Sequence, residues 1–382
     1  MRESTELVER AAALRPVLEA NQAAGDRERR LTDEAMAALA DAGLFRMFVP
    51  NALGGMELGM RTAVDATAEV AKGDPSASWL VMILGAGDWL VGLYPEEVQR
   101  EVYADGPDTH VCTVLTPRSK AQQVDGGWRL TGEWFPSSGC LYAKWALLGF
   151  PFGEQENGLA VVPVSELRVK DTWFTVGMRG TGSNLLIGQD VFVPEHRVLR
   201  MREAIAGDLG QEAGRYRSAF VPTLLTYMIS TYLGTAEAAL EHVVGLAGTR
   251  GVSFTSYRRQ SDSAAFQLAV ADASAKIDVA RMLAYSCADV VDGHAVEGTY
   301  PDYLKRARLR LHAAHAVKQC GDAVDVLVSA HGASAVSESS PLNIYLRDMQ
   351  TALRHAMISP AMNAEAFGRA LLGVEPNITG LI

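Results

Sequence analysis

Apolar residues recur at helical spacing toward both ends of the chain, whereas the middle runs in short β-rich stretches. Alanine, leucine and glutamate dominate the first 42 residues, and residues 1–104 are predicted to be helical. Thr32 or Asp33 stands ahead of the apolar run Ala35 to Leu39, where a side-chain oxygen can accept from the first free N–H groups of a helix. Asn51 to Gly59 is glycine-rich and predicts a loop. Asp74-Pro75-Ser76 predicts a new helix, with proline tolerated in its first turn, and Pro95 opens a further short one. From His110 to about Arg200 the runs Val111–Leu115, Trp128–Thr131, Trp145–Phe150, Leu159–Val164 and Val191–Val193 predict strands. Asp125-Gly126-Gly127 and Ser137-Ser138-Gly139 supply turns between them. Strands joined this closely, without helices between, predict an antiparallel barrel or sandwich and not a Rossmann sheet.

Beyond residue 213 helix returns. Phe266, Val270, Ala273, Ile277 and Ala280 make an apolar stripe, and Leu304, Ala307, Leu311 and Ala314 make another. Stripes of small residues suit a tightly packed bundle that oligomerises. The fold class is mainly α with a central β-domain. The expected units are a helical domain over 1–108, a β-domain over 109–205 and a helical bundle over 206–382.

Composition narrows the function. The net charge of −10 disfavours a nucleic-acid binder, which needs a basic face against phosphates. Cys112, Cys140, Cys287 and Cys320 lie far apart, so neither a metal cluster nor a disulfide framework is expected. The charged N-terminal stretch does not read as a signal peptide. Pro75 to Gly87, the longest uncharged apolar stretch, is too short to span a bilayer. A soluble, cytoplasmic protein is expected. GxGxxG, Walker A, HExxH and GxSxG are all missing, so the chain shows no NAD(P)H site of its own. Redox chemistry would then draw electrons from the substrate or from another protein.

Three places offer candidate chemistry. Gly180-Thr181-Gly182-Ser183 sets permissive backbone beside two hydroxyls, so it can aim donors at a phosphate or at the polar edge of a bound ring. A plain tight hairpin is the other reading. Ser137 and Ser138 follow Trp134 between two strands, although serine before glycine is also ordinary turn composition. His110, heading the first β-run, is either a pocket residue or a structural histidine.

Several motifs together resemble the acyl-CoA dehydrogenase superfamily over nearly the whole chain. They are Ala42-Gly43-Leu44-Phe45-Arg46 with Val49-Pro50 and Gly54-Gly55, and Val124 to Gly132 with Trp134 and Ser137-Ser138-Gly139. Gly177 to Asn184 before Val191-Phe192-Val193-Pro194 is the most specific, and Arg347-Asp348 with His355 to Leu372 completes the set. The branch most resembled is that of flavin-dependent monooxygenases, in particular hydroxylases that tailor aromatic polyketides. The resemblance implies an acyl-CoA dehydrogenase-like fold (helical domain, antiparallel β-barrel or sandwich, four-helix bundle) and a homotetramer. It also implies reduced FMN or FAD supplied by a separate NAD(P)H:flavin reductase, with O2 as co-substrate. A C4a-hydroperoxyflavin would then hydroxylate an aromatic or polyketide-like small molecule. An acyl-CoA dehydrogenase or oxidase with bound FAD, or an amine N-oxygenase, is the alternative on this scaffold. Carried over by motif, Trp134, Ser137, Arg179, Gly180, Thr181, Gly182, Ser183, Arg250 and Arg258 would contact flavin. His110 and Tyr142 would contact substrate, Tyr142 standing near where the family often has a histidine. His355 and Ser138 would be catalytic.

The C-terminal segment separates these chemistries. A family dehydrogenase places a glutamate base shortly after the Arg-Asp pair, but Met349 to Met357 contains no carboxylate and Ala356 stands about where the base would fall. Glu237 or Glu241 of the bundle would be the substitutes. If Leu346 to Ser359 is one helix, His355 lies in its last turn, where the helix C-terminus favours a cationic imidazole. It would donate a hydrogen bond to the flavin peroxide or protonate it, or act as base on a phenol; otherwise it caps the helix.

Overall fold

The computed structural model describes residues 2–153, 156–210 and 214–382. Residue 213, where the sequence predicts the return to helix, lies outside them.

Six helices come first: α1 (Arg2–Ala13), α2 (Arg15–Glu28), α3 (Asp33–Asp41), α4 (Met60–Gly73), α5 (Pro75–Val91) and α6 (Glu96–Val102). Thr32 is the cap of α3, its hydroxyl accepting from Ala35 N at 3.1 Å. Asp74 caps α5 by accepting from Ser76 N at 2.8 Å, with Pro75 in the first turn. The uncharged run Pro75 to Gly87 lies in α5, and every α5 residue except Ile83 is buried. A helix apolar on all sides is one surrounded by protein.

Eight strands follow: β1 (Val111–Val114), β2 (Ser119–Val124), β3 (Gly127–Ser137), β4 (Trp145–Phe152), β5 (Glu156–Pro163), β6 (Arg168–Lys170), β7 (Asn184–Pro194) and β8 (Val198–Arg200). They form two four-stranded sheets, in the orders β1-β4-β5-β8 and β2-β3-β7-β6. The arrangement is a sandwich without a closed barrel. Trp134 of β3 crosses between the sheets, its indole N–H donating to Gly149 O of β4 at 2.8 Å. One pair departs from the antiparallel expectation: β1 and β4 run parallel, Val111 opposite Trp145, because β2 and β3 cross to the other sheet in between. The three strands that the sequence pattern missed, β2, β6 and β8, are short edge strands with polar or charged positions and little apolar alternation.

The last helices are α7 (Met201–Ala206), α8 (Phe220–Leu246), α9 (Ala264–Glu297), α10 (Tyr303–His331), α11 (Pro341–Ala352) and α12 (Pro360–Leu372). Helices α8, α9 and α10 pack on one another, and α4 packs along α8, so a single cluster of buried side chains runs from Leu7 to Ile358. Phe266, Ala273, Ile277 and Ala280 of the predicted α9 stripe are buried in it. No helix among the described residues is long and apolar enough to cross a membrane.

Candidate active site

A cavity of about 590 Å³ opens where α5, the β-sandwich and the end of α11 meet. Trp79 and Ile83, one turn apart on α5, form one wall. The strand ends and turns of the β-domain form the second through Thr113, Pro136, Ser138, Met178, Thr181 and Ser183. Gln350 to Ala352, Arg354 and His355 form the third, and the loop Trp173–Val176 closes the rim. Among the described residues no aspartate or glutamate lines the cavity, and Arg354 is its only charged side chain.

A chain of hydroxyls crosses the second wall. Trp79 Nε1 donates to Ser138 Oγ at 3.1 Å. Ser138 and Ser183 hydroxyls are 2.7 Å apart, and so are those of Ser183 and Thr181. Thr181 Oγ1 donates to Met178 O at 2.7 Å, and Trp173 Nε1 donates to the same carbonyl at 2.8 Å. Met178 N–H donates to Asp348 Oδ1 at 2.5 Å. Met178 is thus held at both polar groups in a left-handed conformation, φ +52°, which a side chain adopts only under constraint. Glycine is required just before it, since a Cβ on Gly177 would lie 2.1 Å from Arg347 O. Burial, with Asp74 adding to it, pushes the Asp348 carboxyl up to about 7.

The structure corrects two expectations for His355. Helix α11 stops at Ala352, whose carbonyl accepts from Tyr232 OH of α8 at 2.7 Å. His355 lies beyond it in an extended conformation, ahead of a short turn over Ala356–Ile358 and the start of α12 at Pro360. The imidazole is also not cationic. It sits edge-on to the Trp79 ring at 5.7 Å, and burial pushes it down to about 4. The ring lines the cavity, and partial removal of the charged form from water is what lowers it. Nδ1 is buried with no partner, which leaves the other ring nitrogen to meet a ligand.

Four of the residues singled out from sequence, Ser138, Thr181, Ser183 and His355, therefore share one cavity. The others lie elsewhere. Trp134 is fully buried between the sheets, and Ser137 is fully buried with its hydroxyl on Trp134 O. Arg179 Nε donates to Asp26 O and ties the turn to α2. Gly180 is the close approach of that turn to Ser76, and Gly182 supplies its left-handed φ of +52°. His110 packs edge-on against Phe45 at 4.4 Å, and Tyr142 OH donates to Leu31 O at 2.7 Å; neither lines the cavity. Arg250 donates to Ser334 Oγ, and Arg258 is exposed near it in the connection between α8 and α9. The substitute bases are also accounted for. Glu237 is paired with Lys72 and Arg281, and Glu241 with Arg15, all outside the cavity wall.

Trp79, Trp173, Met178, Gln350 and Arg354 join the wall without having been expected there. Trp79 had one available signal, a large aromatic with a donor inside the uncharged run Pro75 to Gly87. Nothing local marks Gln350 or Arg354.

The chain matches the family descriptions "Acyl-CoA dehydrogenase, N-terminal domain" over residues 4–106 and "Acyl-CoA dehydrogenase, C-terminal domain" over 227–360. It belongs to the acyl-CoA dehydrogenase family. Within that family it is a flavin-dependent monooxygenase, similar to oxygenase components of two-component hydroxylases. It is 32% identical to the flavin-dependent monooxygenase oxygenase subunit HsaA of Mycobacterium tuberculosis, over 92% of this chain and 91% of the relative. It is 30% identical to the oxygenase component of FADH(2)-dependent resorcinol hydroxylase of a Rhizobium species, over 97% and 95%. The solved structure of XiaF from a Streptomyces species, in complex with FADH2 and glycerol, superposes with a TM-score of 0.93 at 34% identity, covering 99% of this chain and 98% of that one.

Proposed function

We propose that this chain hydroxylates an electron-rich aromatic or polyketide-like small molecule, using flavin reduced by a separate NAD(P)H:flavin reductase. The observation that carries the proposal is the cavity wall itself: three linked hydroxyls, one neutral imidazole and no carboxylate among the described residues. A wall of this kind cannot supply the carboxylate that removes a proton next to a thioester carbonyl. It does suit a flavin ring with a planar substrate, since Trp79, Trp173 and Ile83 give apolar and aromatic area while Ser138, Thr181 and Ser183 give hydrogen bonds.

When bound, reduced flavin would supply two electrons to O2, one atom of which goes to the substrate while the other leaves as water. The chain's own groups orient and protect. Ser138 and the 180–183 turn hold polar ring edges, and burial among Trp79, Pro136 and Ile83 excludes water. His355, neutral above about pH 4, donates a hydrogen bond from, or accepts a proton at, the nitrogen that faces the cavity. Leu268, Ala271, Ala275, Val279 and Met282 form an exposed apolar stripe on α9, opposite its buried one, and support a homotetramer.

The test supplies chemically reduced FMN or FAD to the purified protein with O2 and a panel of phenols, without reductase. Hydroxylated product that depends on reduced flavin and falls at least tenfold in His355→Ala is the expected outcome. Acyl-CoA oxidation with a bound yellow flavin, and no aromatic product, would overturn it.

A further inference from the structure

We propose that Arg354 sorts substrates by charge at the mouth of the cavity, so that an electron-rich ring carrying a carboxylate is taken in preference to its neutral counterpart. The proposal rests on the cavity being the flavin and aromatic site.

Arg354 follows the end of α11 and lines the cavity while remaining exposed, which places it at the opening and not on the floor. Its lack of an internal counter-charge sets it apart. Three other arginines touch the rim loop Trp173–Val176, and each is already neutralised. Arg29 lies over the Phe174 ring at 4.0 Å and holds Asp171 through two contacts of 2.5 and 2.8 Å. Arg179 donates to Thr175 O and Arg347 to Val176 O, both at 3.0 Å, and the two share the carboxylate of Asp26 at 3.6 and 3.3 Å. The Arg354 guanidinium makes no ion pair, side-chain hydrogen bond or ring contact among the described residues. No carboxylate among them lines the cavity, so nothing in the wall competes for the cation or repels an anion. The neighbouring His355, neutral above about pH 4, adds no second positive charge. The opening is left with one cation and room for one anion.

A guanidinium presents a planar fork that meets both oxygens of a carboxylate at once, and such charge-assisted bonds are stronger than neutral ones. An amide of the same shape offers one uncharged acceptor. Solvent at the opening screens part of the attraction, which leaves on the order of a tenfold preference for the acid. Trp79, Ile83 and Pro136 meanwhile give apolar area to the ring, so ring and acid are read by different walls. One other anion could claim the same cation, the phosphate of the flavin itself, and riboflavin, which lacks it, separates the two.

The experiment measures dissociation constants by equilibrium dialysis on the full chain under anaerobic conditions, with FMN reduced by dithionite. The probes are the 4-hydroxyphenyl acids with no, one or two methylenes between ring and carboxylate, each beside its primary amide. The expected result is about tenfold tighter binding of the acid at the best spacer, falling to about twofold or less in Arg354→Gln. Arg354→Lys, which keeps the charge without the fork, should restore most of the preference. A second arm compares reduced FMN with reduced riboflavin in the native protein and in Arg354→Gln. Acid and amide bound alike at every spacer, or a preference that survives Arg354→Gln, overturns the proposal while leaving the cavity assignment standing. Weakening confined to FMN in Arg354→Gln, with acid and amide still bound alike, assigns the cation to the flavin phosphate and overturns it too. No binding of any acid or amide overturns the cavity assignment itself.

Discussion

His355 gives the protein an acid sensitivity that can be isolated and measured. Its imidazole titrates near 6.5 when the chain is unfolded, and burial pushes it down to about 4 when folded. The unfolded state therefore binds the proton first. The stability linked to neutral His355 is complete above pH 6.5 and is lost as the pH falls from there toward 4. At pH 5 the loss from this one group is about 2 kcal/mol, and at pH 7.5 it is close to zero. The whole-protein curve hides this. His110, also down to about 4, acts in the same direction, while Asp74 and Asp348, both raised to about 7, favour the folded state as the pH falls. The informative quantity is thus a difference between native protein and His355→Gln. Urea midpoints of the two proteins at pH 7.5, 6 and 5 should draw together or apart by about 2 kcal/mol across that range, in the sense that the variant becomes relatively more stable in acid. Parallel curves, agreeing within about 0.5 kcal/mol, would show that the ring is solvated or charged in the native state. The same value places any acid limb in activity caused by free-enzyme His355 near pH 4, below the range expected of an ordinary histidine.

Other residues give sharper local tests. Trp79→Phe keeps the ring beside His355 but removes the donor to Ser138, about 1 kcal/mol of interaction; product formed per O2 consumed should fall severalfold with little change in flavin affinity. Gly177→Ala forces a Cβ to within 2.1 Å of Arg347 O, so the left-handed turn must move; flavin titration should show at least tenfold weaker binding. Glu237→Gln leaves Lys72 and Arg281 without their buried counter-charge and should cost about 1–3 kcal/mol by urea unfolding, with turnover per folded molecule unchanged. A loss of turnover specific to that carboxylate would revive it as a catalytic base.

Much of this arrangement is legible in the chain because periodicity and turn chemistry are local. Thr32, Asp74 and the α9 stripe announce themselves by spacing alone. The motif around Gly177 to Ser183 points to the right turn, but composition cannot say which of its groups face inward. Thr181 and Ser183 do, whereas Arg179 reaches back to Asp26. Ser137 is one position from each of Pro136 and Ser138, which line the cavity, and still faces away, because side chains alternate across a strand. Trp134 shares their parity but lies on the far side of an irregularity in the β3–β7 register between Trp134 and Ser137. The end of α11 at Ala352 is hidden in the sequence for a different reason. Proline at position 360 argues against helix only at Ser359, while the actual stop at Ala352 coincides with a hydroxyl from Tyr232, 120 residues earlier in the chain. The charge on His355 follows the same break: a helix terminus favours the cation, but His355 lies beyond that terminus and desolvation beside Trp79 lowers it.

The cavity divides its labour between walls, and that division bears on how such a scaffold changes its diet. The polar groups of the wall, Ser138, Thr181, Ser183 and His355, to which the proposed function gives the chemistry, are each locked by partners behind them or by the ring of Trp79. Shape is set by side chains with no polar duties, such as Ile83 on α5 and Phe174 and Val176 on the exposed rim loop. A change from isoleucine to alanine or phenylalanine at position 83 alters what fits without disturbing a single hydrogen bond of the chain. Substrate preference can therefore drift by one apolar substitution at a time while the hydrogen-bonded wall stays fixed.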